Sequence, residues 1–212
     1  LHNCSATGTL LVNNTTLSIA KPVDDYSDIA HGGLVGSAIS ATIYNCESNV
    51  DVTVTSFGAN NTAKAEACGA IGTVANLCKI KNVTNNGDVL YNGTTNEGGM
   101  YLCGVVGKAN STATITPLAE FSNITNNGNI STHKDSKVTA DLLFAGVAGD
   151  IVMENATVVC DKLVNNGNIT HNGYSNATRL AGVAAYTCTG SFTNCKNTGD
   201  LTIATGARHG AG

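Results

Sequence analysis

Two short motifs alternate along the whole chain, and no other feature restricts its fold as strongly. A repeated unit of this size cannot bury its apolar side alone, so it must stack on its neighbours. The first motif reads NCSATGTLLV from Asn3, NCESNVDVTV from Asn45, NVTNNGDVLY from Asn82, NITNNGNIST from Asn123, KLVNNGNITH from Lys162 and NCKNTGDLTI from Asn194. The second is built on glycine: GGLVG at 32–36, CGAIG at 68–72, CGVVG at 103–107, AGVAG at 145–149 and AGVAA at 181–185. Starts of the first motif lie 42, 37, 41, 39 and 32 residues apart. The motifs are constant and the inserts between them vary, which is how loops behave.

After the corner of the first motif, which ends in Gly in the later copies and in Val50 in the second, the residues alternate in polarity, as in Asp51-Val52-Thr53-Val54, Asp88-Val89-Leu90-Tyr91 and Asp200-Leu201-Thr202-Ile203. A period of two predicts a strand with Val52, Val89 and Leu201 inward and the aspartates outward. The NNG at 85–87, 126–128 and 165–167 supplies the corner before it, since Asn and Gly tolerate left-handed backbone. The glycine motif reads as a second strand. The β-branched stretches at 41–44, 113–116 and 156–159 read as a third. About three short strands per repeat predict an all-β fold, a parallel β-solenoid of five to six coils of 32 to 42 residues, and one domain over 1–212. The crossover rule makes it right-handed.

The GGLVG at 32–36, followed by Asn45-Cys46 and an Asp-Val-Thr strand, resembles the GLUG motif of bacterial and protist surface proteins. The resemblance extends over essentially the whole chain, with Ala or Val replacing the Leu in later copies and Ala185 replacing the last Gly. It implies an extracellular repeat module of a large surface protein, without catalytic residues of its own.

Composition narrows the compartment. The chain has 11 Lys and Arg against 15 Asp and Glu, a formal charge of −4, and no basic stripe, so nucleic acid is not an expected partner. No apolar run approaches a membrane-spanning length. Twelve Asn-x-Ser/Thr sequons and eight cysteines in a chain with only 12% charged residues point to secretion. Sugars would then supply the solubility that charges usually give. Asn13, Asn14, Asn60, Asn92, Asn110, Asn155 and Asn176 lie in inserts or beside strands, where a glycan reaches water. Asn129 and Asn168 fall at outward positions. Asn82 and Asn123 share a corner with Asn45 and Asn194, where stacked asparagines turn inward as hydrogen-bonded ladders that compete with glycosylation. Asn3 is the twelfth sequon.

Cys4 and Cys46 hold equivalent places in neighbouring repeats, as do Cys68 and Cys103. Stacking brings each pair within the Cα range of a disulfide, so 4–46 and 68–103 are expected as coil-to-coil staples; the alternative is buried thiols filling columns. Cys78, Cys160, Cys188 and Cys195 share no register, and their pairing stays open. No C-x2-C pair or following His pair suggests zinc, and neither metal nor cofactor is implied.

The column Asp51, Asp88, Asn129, Asn168 and Asp200 could bind calcium or sugar, although a side chain just after a tight turn more often caps its own backbone. A threonine row through Thr53, Thr170 and Thr202 is interrupted by Leu11, Leu90 and Ser131. The densest acids, Asp24, Asp25 and Asp28, sit with Tyr26 and His31 in or beside an insert and read as a solvated loop rather than the acid and base pair of a glycosidase. No enzyme is expected. The sequence predicts an extracellular structural glycoprotein, a stalk or filament subunit that self-associates. The chain begins at a first motif and ends near a glycine motif, which suits either a head-to-tail assembly or a piece of a longer chain. The alternative is a surface adhesin or carbohydrate-binding module.

Overall fold

The structure is a computed structural model that describes residues 1–13, 29–56, 65–76, 78–94, 99–111, 118–153, 157–187, 190–203 and 210–211. Every strand pairing among them is parallel, and the strands form three sheets. Sheet 1 has eleven strands. It holds the long strands, such as Thr42–Ser56, Lys79–Asn85, Leu118–Asn126 and Thr157–Asn165, and the short ones, such as Val89–Tyr91, Ile130–Thr132, Ile169–His171 and Leu201–Ile203. Sheet 2 has six strands, including Ala65–Cys68, Met100–Cys103, Lys137–Ala145 and Tyr174–Ala181. Sheet 3 has five, including Ile71–Ala75, Val106–Ser111 and Ala148–Met153.

Successive repeats are neighbours in register. Val52 pairs with Val89, Val89 with Ile130, Ile130 with Ile169 and Ile169 with Leu201. The expected threonine row is assembled the same way, from Leu11 through Thr53, Leu90, Ser131 and Thr170 to Thr202. Along this column Val52, Val89, Ile130 and Ile169 are buried as the alternation predicts, whereas Leu201 is 42% exposed. Its strand borders sheet 1, so one flank is uncovered.

The apolar interior divides into three seams. Long strands of sheet 1 pack on sheet 3 through Ile80, Val83, Phe121 and Ile124 against Ile71, Val74, Val106 and Ile151. The short strands of sheet 1, together with the second half of Thr42–Ser56, pack on sheet 2 through Val52, Val89, Tyr91 and Ile130 against Ala67, Leu102, Leu142 and Phe144. A third, smaller seam lies behind sheet 2 and uses its alternate residues, Cys68, Tyr101, Cys103, Leu143 and Ala145. Because both faces of sheet 2 are covered, its strand Ala65–Cys68 is buried at every position, as parallel strands covered on both sides are.

One sequence expectation needs correction. The glycine motif is a corner: in CGAIG, Cys68 ends a strand of sheet 2, Gly69 and Ala70 turn, and Ile71 opens a strand of sheet 3. The strand that carries the start of the fourth first motif, Asn123, is Leu118–Asn126, with Leu118 paired to Thr157; the stretch 113–116 lies outside the described residues. The first Asn of each first motif also does more than begin a turn. Asn3, Asn45, Asn82, Asn123 and Asn194 are left-handed, with φ of 52° to 55°, and Lys162 takes the same conformation at 56°. In Lys79–Asn85 this makes Lys81 and Asn82 face outward in succession and resets the alternation, so that Val83 again points inward.

Candidate functional site

Each NNG corner places three polar side chains at fixed positions, and stacking turns them into columns. The first Asn of NNG is buried. Asn85 Nδ2 donates to Asn126 Oδ1 at 2.8 Å, Asn126 to Asn165 at 2.7 Å and Asn165 to Asn197 at 2.7 Å. Each Nδ2 also donates to the carbonyl two residues ahead, on Gly87, Gly128, Gly167 and Gly199, at 2.7 to 2.8 Å. The column starts where Ser48 replaces Asn and donates instead to the Gly69 carbonyl at 2.6 Å.

This ladder explains the glycine motif. A Cβ on Gly69 would overlap the Asn85 carboxamide; one on Gly104 would overlap Asn126, one on Gly146 Asn165, and one on Gly182 Asn197. The two motifs alternate in sequence because in space they touch. A later glycine of the second motif serves the next seam: Cβ atoms at Gly107 and Gly149 would meet the Sγ atoms of Cys68 and Cys103 at 2.7 and 2.6 Å.

Three further columns are exposed. The second Asn of NNG forms one, with Asn86 donating to Asn49 at 2.9 Å, Asn127 to Asn86 at 2.8 Å and Asn166 to Asn127 at 2.9 Å; Thr198 ends it. The left-handed asparagines form another, with Asn45 donating to Asn3 at 3.2 Å, Asn82 to Asn45 at 2.8 Å and Asn123 to Asn82 at 2.8 Å. Asn82 and Asn123 therefore do ladder, but on the outside, which corrects the inward expectation: the left-handed backbone aims them away from the core. Where Lys162 interrupts the column, Asn194 turns to Asp161 at 2.8 Å. That bond and one from Thr193 hold the Asp161 carboxyl below its ordinary range.

The last column is Asp51, Asp88, Asn129, Asn168 and Asp200. Each side chain caps the next repeat rather than its own turn: Asp51 Oδ1 accepts the Asp88 N–H at 2.9 Å, Asp88 that of Asn129 at 2.7 Å, Asn129 that of Asn168 at 3.1 Å and Asn168 that of Asp200 at 2.9 Å. Among the described residues no group of three or more His, Cys, Asp and Glu is placed to hold a metal ion.

The sequons divide accordingly. Asn3, Asn13, Asn82, Asn92, Asn123, Asn129 and Asn168 are exposed and Asn110 is half-buried. The Nδ2 of Asn129 donates to Asp88 at 3.1 Å, whereas Asn168 uses only its Oδ1. Asn14, Asn60 and Asn155 lie outside the described residues, as do Asp24, Asp25, Tyr26, Asp28, Cys188 and the side chain of Asn176.

All seven described cysteines are thiols. Cys68 and Cys103 are register partners, and the strand containing Cys46 runs beside Cys4, whose carbonyl accepts the Glu47 N–H at 2.9 Å. Yet neither expected staple, 4–46 or 68–103, is formed. In-register side chains on parallel strands project side by side, so their Cβ atoms keep the strand spacing of about 4.7–4.9 Å. A disulfide accepts that spacing between Cα atoms but draws Cβ atoms to about 3.5–4.5 Å. Burial pushes the Cys68 thiol well above its usual range, with Cys103 and Glu66 adding to the effect, and pushes Cys160 up to about 12.

Sequence reasoning missed two buried polar groups. Glu66 is fully buried and accepts a hydrogen bond from Thr73 Oγ1; one layer on, Tyr101 Oη donates to Asp150 Oδ2 at 3.2 Å. His171 is 1% exposed among hydroxyls. Both interrupt apolar columns, visible in the sequence only once the register is known. His31, near the expected acidic cluster, is half-buried on the strand Ile29–Gly32, and burial lowers its pKa.

In comparisons with known proteins, the chain matches no family model, no curated protein and no solved structure. No helix among the described residues is long and apolar enough to cross a membrane.

Proposed function

We propose that this chain is an extracellular structural glycoprotein: a β-solenoid rod, right-handed by the crossover rule, that serves as a stalk or as a filament subunit. The observation that supports it best is the set of polar columns, buried and exposed, which spend carboxamides and carboxylates on linking one repeat to the next. Layers about 4.7–4.9 Å apart give five to six coils a length of about 25–30 Å. With the seven described cysteines present as thiols, the rod is held by its ladders and seams, and the exposed sequons carry its sugar.

Electron microscopy of protein from its native source, with intact mass measured before and after enzymatic removal of N-glycans, tests the reading. Uniform filaments or stalks of glycan-laden mass support it. Unmodified monomers that bind glycans saturably would replace it with a surface adhesin.

A further inference from the structure

The column that runs Val54, Tyr91, Thr132, His171, Ile203 is apolar except at its third and fourth layers. There a chain of buried hydroxyls surrounds one imidazole. Thr132 Oγ1 accepts the backbone N–H of Asn172 at 3.0 Å and of Gly173 at 3.2 Å. With both lone pairs used, its own hydrogen points to His171 Nδ1, 3.0 Å away. Nδ1 is therefore the acceptor and Nε2 carries the proton. Nε2–H donates to Ser175 Oγ at 3.3 Å, and Ser175 is hydrogen-bonded in turn to Thr178 Oγ1. Thr132, His171, Ser175 and Thr178 are each at most 4% exposed, and the Phe144 ring lies 5.4 Å from the imidazole.

A second proton on His171 has nowhere to go. Nδ1–H would face the Thr132 hydroxyl hydrogen, and turning that hydroxyl away leaves it one acceptor short for the Asn172 and Gly173 amides. Charged groups on the surrounding elements give no help. Asp141 beside Phe144, Arg179 beside Thr178, and His133, Lys134, Asp135 and Lys137 on the connection after Thr132 are all exposed. Tyr91, two layers away in the same column, is buried and neutral, its phenol pushed up to about 12 by burial.

We propose that this hydroxyl–imidazole chain is an acid-sensitive latch on the corner between the short strands of sheet 1 and the strand Tyr174–Ala181 of sheet 2, which releases when His171 takes up a proton. Burial lowers the His171 pKa below its ordinary 6.5. The sign follows: the latch is at full strength above 6.5 and weakens as pH falls through 6.5 toward the lower folded value. Release exposes Phe144 and Leu180 of the seam beneath, while the ladders of the earlier corners, which contain no imidazole, stay closed.

Hydrogen exchange by mass spectrometry on the 212-residue protein tests this. Protection of the amides at 172–178, corrected for intrinsic rates, should fall by up to about thirtyfold between about pH 7.5 and about pH 5, the protonated-to-neutral ratio of an ordinary imidazole at the lower pH. The segment 85–91 should not change. A fall of less than about threefold, or an equal fall in both segments, overturns the proposal. His171→Gln keeps an acceptor and a donor without titrating, so the pH dependence should vanish; its persistence overturns the latch. Should that variant fail to fold, NMR of carbon-13-labelled histidine in the wild-type protein decides: titration of His171 below 6.5 supports the latch, and titration at or above 6.5 overturns it.

Discussion

Gly69 and Asn85 belong to different motifs, yet the methyl added by Gly69→Ala would meet Asn85 Cγ, Nδ2 and Oδ1 before any other atom. Their interaction can be measured as a double-mutant cycle. Asn85→Ala alone removes three hydrogen bonds, to the Gly87 carbonyl at 2.7 Å, to Asn126 Oδ1 at 2.8 Å and from the Gly87 N–H at 3.3 Å. It strands buried groups worth roughly 1–3 kcal/mol each, for a total of about 3–5 kcal/mol once partial relaxation is allowed. Gly69→Ala alone overpacks the corner and displaces the same carboxamide, at a cost of about 2–4 kcal/mol. In the double variant the methyl enters the space the carboxamide has left, so the loss should stay close to that of Asn85→Ala, a coupling of at least about 1.5 kcal/mol. Urea unfolding followed by far-ultraviolet circular dichroism suits a chain with no Trp. Additive losses, with coupling below about 0.5 kcal/mol, would refute the claim that the glycine exists to admit the asparagine.

Other outcomes follow from the same geometry. Lys162 holds the left-handed conformation that its equivalents meet with Asn, so Lys162→Asn should stabilise the protein by about 1 kcal/mol and raise Tm by about 2–4 °C in a thermal melt. Asn127→Ala, in the exposed ladder where water replaces lost bonds, should cost less than about 1 kcal/mol, against about 3–5 kcal/mol for the buried Asn126→Ala beside it; equal values in urea titrations would contradict the assigned burial. Under native conditions a thiol reagent should label Cys4 and Cys195, which are half-buried, well before Cys68, Cys103 and Cys160, as peptide mapping of the labelled protein would show.

Local chemistry made much of this legible from residue order. Alternation after each corner places Val52, Val89 and Ile130 inside because strand geometry has a period of two, and the threonine row could be written down because stacked repeats share register. What concerns contacts between motifs was not legible. Nothing in NNG says that its first Asn faces the core and its second the solvent, or that the glycine of CGAIG turns a corner to make room for that Asn. Both depend on how sheets 1, 2 and 3 are disposed around three seams, a matter of distances between residues far apart in sequence. The cysteines show the same division. Equivalent positions put Cys68 beside Cys103, a one-dimensional fact, but whether two sulfurs can bond depends on side-chain direction, which parallel pairing sets. Likewise His171 is one scattered histidine in the sequence. Only the stacking of its layer on Thr132, with Ser175 brought back by the corner that follows, surrounds it with hydroxyls and gives it a chemistry of its own.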